Sequence, residues 1–87
     1  MKQADFSVLK QRVLDVARQS AVNEQIKDVV LESDQDEEGD DFLRVILEMK
    51  SLDSVSDADT EALVESIEEA VAELDERSAS VRFADAA

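Results

Sequence analysis

The 87-residue chain contains no cysteine, histidine, proline, tryptophan or tyrosine, and a single glycine. Without cysteine or histidine there is no thiol nucleophile, disulfide, zinc site of the usual donor set or imidazole base. One glycine excludes both the dinucleotide-binding G-x-G-x-x-G turn and the Walker A loop. No uninterrupted apolar run approaches the roughly 18–20 residues of a membrane span. The segment MKQADFSVLK has no apolar core of the signal-peptide kind, so the expected location is cytoplasmic, with no membrane partner. A chain of this length buries roughly 60–70% of its unfolded surface, which suits one domain over residues 1–87.

Acids dominate what is present. Asp and Glu number 23 against 9 Lys and Arg, a formal net charge of −14. High net charge is half of the signature of disorder, and low hydrophobicity is the other half. Here 44% of residues are hydrophobic, and they fall in periodic groups, as a folded chain requires.

Residues 5–19 show helical spacing, with Phe6, Leu9, Val13, Val16 and Ala17 on one stripe and Asp5 as a candidate cap. The period lapses over Ser20–Gln25. Residues 26–33 (IKDVVLES) alternate and are rich in β-branched side chains, which predicts a strand. Lys27, Val29 and Leu31 then face one side, and Asp28, Val30 and Glu32 the other. Residues 34–41 hold no apolar side chain and include Gly39, so they read as an acidic hairpin loop. Residues 42–50 (FLRVILEMK) give the clearest strand, with Leu43, Val45, Leu47 and Met49 on its apolar face and Phe42, Arg44, Ile46, Glu48 and Lys50 on its mixed face.

After a loop at 51–55, Ser56 stands as an N-cap with Asp59 three residues on and acids in the first turn. The helix it opens is expected to reach residue 76, with Leu63, Ile67, Ala70, Val71 and Leu74 as its core stripe. Residues 80–84 (SVRFA) predict a short strand, with Val81 and Phe83 on one side, before the tail Ala86–Ala87. The order α-β-β-α-β implies an α+β, two-layer sandwich, in which a three-stranded mixed sheet carries both helices on one face.

The charge is unevenly placed. Residues 1–30 hold five basic and four acidic side chains, whereas residues 31–87 hold four basic and 19 acidic ones. Seven acids lie in Glu32–Asp41, and ten acids with no cation in Asp53–Glu76. Glu61/Glu65, Glu65/Glu69 and Glu69/Glu73 are like-charge pairs at i,i+4, each costing about 0.2–0.5 kcal/mol. A sequence selected for solubility alone can alternate Glu with Lys and gain stability instead. A surface of one sign favours and steers a cationic partner; the plainer reading is a solvated face in an acid-rich proteome.

Asp34, Asp36, Glu38 and Gly39 match the opening of an EF-hand loop, but the match fails at Asp41 and at Val45, where the closing Glu belongs. No dedicated metal site is assigned, and no cofactor. Carboxylate-only catalysis needs an acid with a raised pKa in an apolar pocket. Asp28 and Glu48, on the outer strand faces, come nearest to that, and the sequence names no catalytic residue. Direct nucleic-acid binding is opposed by the net charge, and no aromatic interleaves Lys10, Arg12, Arg18 and Lys27 for stacking.

With both helices on one side of the sheet, Val30, Phe42 and Ile46 project from the other, where an apolar face invites another chain. That open face, or an unpaired edge strand, offers a route to a homodimer.

The αββαβ order is similar to that of type II K-homology folds and of ribosome-binding factor A, without the G-x-x-G loop. The amphipathic N-terminal helix, the acidic hairpin VVLESDQDEEGDDFLRVILEM, the acidic helix and the final SVRF strand together resemble short, acidic bacterial α+β proteins, some of them antitoxin-like. That resemblance covers most of the chain and carries no catalytic motif. It implies a non-enzymatic protein-binding module, an antitoxin-like or inhibitory subunit that docks its acidic surface on a basic protein partner. The candidate contact residues are the loop acids Asp36, Glu37, Glu38, Asp40 and Asp41, the helix acids Glu61, Glu65, Glu68 and Glu69, and the apolar Val30, Phe42 and Ile46. The alternatives are a DNA mimic with carboxylates in place of phosphates, and a self-associating structural module with no charged partner.

Overall fold

A computed structural model describes residues 3–51 and 53–85. Leu52, in the second connector, and the tail Ala86–Ala87 lie outside the described residues. The elements are α1 (Phe6–Arg18), a 3-10 turn (Asn23–Gln25), β1 (Ile26–Gln35), β2 (Asp41–Met49), α2 (Asp57–Leu74) and β3 (Ser78–Asp85). β2 is central, antiparallel to β1 and parallel to β3. Among the described residues the fold is α+β with two α-helices and a three-stranded mixed sheet.

The alternation of β2 decides which side the helices take. Leu43, Val45, Leu47 and Met49 are fully buried, and they stand in register with Ala79, Val81 and Phe83 of β3 and with Val29 and Leu31 of β1. Leu9, Val13 and Ala17 of α1 and Leu63, Ile67 and Val71 of α2 join the same cluster. Each large side chain in it contributes about 1.5–3 kcal/mol relative to exposure.

Ser56 caps α2 as its sequence position implies, its Oγ accepting the Asp59 N–H at 3.2 Å. Asp5 occupies the N-cap of α1 in extended conformation, but its side chain makes no capping bond. Phe6 leaves its predicted stripe: it is 39% exposed, and the Arg77 guanidinium sits 5.8 Å from its ring centroid. The lapse of period over 20–25 contains the 3-10 turn, where Asn23 Nδ2 donates to the Arg18 carbonyl.

Several boundaries differ from the sequence expectation, and polar contacts account for them. β1 continues past residue 33 to Gln35 and β2 begins at Asp41, so the loop shrinks from 34–41 to residues 36–40. Arg44 reaches Asp34 at 2.9 Å and Gln35 Nε2 reaches Asp41 Oδ1 at 3.1 Å, which carries the ladder beyond its last apolar residue. Lys50 falls outside β2. α2 stops at Leu74 rather than 76 because Asp75 turns extended and its carboxylate is captured elsewhere. β3 spans 78–85 rather than 80–84, since the parallel pairing already starts at Phe42 with Ser78.

Candidate functional site

The hairpin loop is built around one of its own acids. Asp36 Oδ1 accepts the N–H groups of Glu38 and Asp40, both at 2.9 Å, while its backbone N–H donates to the Asp40 carbonyl at 3.0 Å. Gly39 takes the left-handed φ of +87°, which a side chain would strain. Asp36 is therefore committed to holding the turn, and Asp41 to β2. Glu37, Glu38 and Asp40 remain as exposed charges at the tip. Among the described residues no group of three or more acids converges to hold a metal ion.

The acids of α2 do not form one row. Glu61, Glu65 and Glu68 flank a groove between α2 and β3, whose remaining lining is Thr60, Val64 and Phe83. Val64 and Phe83 are half-buried, so this groove has an apolar floor between exposed carboxylates. Glu69 turns the other way, into the cleft between α2 and α1, together with Asp59, Ser66 and Glu73. There Arg12 meets Glu73 at 3.5 Å. Arg12 thus offsets like-charge repulsion on the α1 side, whereas among the described residues no cation pairs with Glu61, Glu65 or Glu68 beside β3.

Val30, Phe42 and Ile46 project from the sheet face that no helix covers, each half-buried. Their neighbours follow from the register. Asp34, Phe42 and Ser78 form one row across the strands; Glu32, Arg44 and Ser80 the next; then Val30, Ile46 and Arg82; then Asp28, Glu48 and Ala84. Arg44 sits 5.5 Å from the Phe42 centroid and donates Nη2 to Asp34, leaving its buried Nε without an acceptor. The three apolar residues and the α2 acids consequently belong to opposite layers. Sequence reasoning assigned all of them to one partner contact.

Asp28 and Glu48 stand opposite one another across β1 and β2 on the open sheet face. Asp28 is exposed and accepts the Val29 N–H at 2.8 Å, with Lys10 at 3.5 Å. The backbone hydrogen bond first, and Lys10 after it, hold its carboxyl below the usual range. Asp34 is shifted the same way by the Gln35 N–H and then by Arg44.

The carboxylate with the most perturbed environment is one that sequence reasoning missed. Asp75 is 1% exposed. It accepts Arg77 Nη2 at 2.7 Å, Arg77 Nε and N–H at 2.9 Å each, and the Ala4 N–H at 2.9 Å. The Arg77 fork, backed by the two backbone donors, drives its carboxyl far below the usual range against the cost of burial. Arg77 is raised in turn, first by Asp75. The signal available in sequence was an acid at the helix C-terminus, where the dipole disfavours it, two residues before the first cation since Lys50.

Comparison with protein-family models, curated proteins and solved structures finds no match for this chain.

Proposed function

We propose that the chain is a non-enzymatic protein-binding module, antitoxin-like or inhibitory in kind, that docks the α2–β3 groove on a basic protein partner. One observation carries the reading: Glu61, Glu65 and Glu68 surround an apolar floor of Val64 and Phe83. Rim charges set encounter rate and partner choice, while a desolvated apolar anchor holds the complex. The matching ligand is a segment that presents an apolar side chain flanked by Lys or Arg. The tip acids Glu37, Glu38 and Asp40 add long-range attraction.

The test is an NMR titration of the labelled chain with a short Lys/Leu amphipathic peptide at low and high salt. Shift changes are expected around Val64 and Phe83, with affinity falling as salt rises and dropping at least tenfold when Glu61, Glu65 and Glu68 are all replaced by Gln. Replacing Glu69 and Glu73 should matter less. Shifts spread without focus, or a triple variant that binds as wild type does, would overturn the reading.

A further inference from the structure

We infer that the open sheet face pairs with the open face of a second copy of this chain, around a two-fold axis running along the strands. The inference is independent of the groove reading and uses the opposite layer. On this face the charges of the two outer strands differ in sign. β1 presents Asp28, Glu32 and Asp34; β2 presents Phe42, Arg44, Ile46 and Glu48; β3 presents Arg82 among Ser78, Ser80 and Ala84. Arg82 is exposed and forms no ion pair among the described residues.

Two faces can meet about a two-fold axis in the interface plane that lies along the strands or across them. An axis across the strands sets β1 on β1, acid against acid. An axis along the strands sets β1 on the second copy's β3, so that the acidic column meets Arg82. The same axis brings Phe42 and Ile46 onto their equivalents. The two Arg44 guanidiniums approach near the axis, each already paired with Asp34 of its own chain, and the two Glu48 carboxylates meet at the end of the same column. The outer strands therefore fit one another in one orientation and repel in the other.

One alternative route to a dimer, strand addition at the β1 edge, is hindered. The Asp36–Asp40 backbone bond closes the ladder, and counting back by twos turns the pairing groups of Asp34, Glu32, Val30 and Asp28 toward β2. The N–H groups of Val29, Leu31, Ser33 and Gln35 then point to the open edge. Two of these four are already taken, Val29 by Asp28 Oδ1 and Gln35 by Asp34 Oδ1, both at 2.8 Å. Such quenching is how edge strands are kept from recruiting others.

Size sets the strength. Strands about 4.8 Å apart and rows about 7 Å apart give a footprint of roughly 400 Å² per chain. That is about half the ~800 Å² per partner of a standard interface. The dimer is accordingly weak and concentration-dependent. Because both copies are strongly acidic, it tightens as added salt screens their long-range repulsion, whereas groove binding to a cation weakens.

Sedimentation equilibrium from micromolar to millimolar protein, at low and moderate salt, tests this. The expected result is a reversible monomer–dimer equilibrium, weakened at least tenfold by Ile46→Asp and by Arg82→Glu, with native amide dispersion kept as the control for folding. Glu32→Arg should also dissociate, and mixing it with Arg82→Glu should restore association, since the axis brings the two sites together. A wild type that stays monomeric throughout, a dimer indifferent to Ile46→Asp and Arg82→Glu, or a mixture that fails to associate would each overturn the inference.

Discussion

The outer side of α2 and its C-terminal junction use the same chemical group in opposite ways. At the junction, Asp75 is buried, accepts four hydrogen bonds from Ala4 and Arg77, and so ties the end of α2 to Ala4 across a sequence separation of 71 residues. A few turns earlier, Glu61, Glu65 and Glu68 stand exposed beside an apolar groove, with like charges at i,i+4. One carboxylate is enclosed by donors; the others face solvent. A net charge therefore says little until each acid is placed, because burial and donors decide whether it stabilises.

Breaking the junction should give the largest effect. Removing one member of a buried, hydrogen-bonded pair leaves the other uncompensated, so Asp75→Ala is expected to lower stability by about 3–5 kcal/mol. Urea denaturation with far-UV CD reads this directly. Truncating the core that α2 shares with the sheet is the next test: Ile67→Ala should cost about 2–5 kcal/mol, measured the same way, and locates the helix's stability on its inner stripe.

Acid sharpens the contrast further. The folded-state pKa of Asp75 is depressed, so its contribution is complete above the unfolded value of about 3.9 and is lost as pH falls below it. Over that window the unfolded state binds more protons and stability rises with pH. Asp75→Asn should flatten this limb of the stability–pH curve. The smallest effect has the opposite sign. Glu65→Lys converts two repulsive i,i+4 pairs into attractive ones and should raise stability by about 0.5–1 kcal/mol at low salt, fading as salt is added.

How much of this was legible in the sequence follows the range of the interactions involved. The strict alternation of Phe42–Met49 and the stripe from Leu63 to Leu74 depend on local periodicity, and they placed the core, the helix-covered face and the element order correctly. The Ser56 cap, also local, was readable. Phe6 was misplaced because its ring answers to Arg77, far along the chain. The loop was drawn too long because Asp34 pairs across the hairpin with Arg44, which composition does not reveal. The acids of α2 looked like one row because a helical wheel carries no record of where α1 and β3 lie; those neighbours send Glu69 to Arg12's side and Glu61, Glu65 and Glu68 to Phe83's. Asp75 escaped notice for the same reason, since one of its four donors is the N–H of Ala4, 71 residues away.

The outer acids of α2 are expected to be dispensable for folding. Chemical denaturation of the chain with Glu61, Glu65 and Glu68 all replaced by Gln, at low salt, measures that most directly. The prediction is a stability equal to or above wild type by up to about 1 kcal/mol, as the like-charge repulsion is removed. A loss of more than about 1 kcal/mol would place these carboxylates among the groups that hold the structure, and would contradict it.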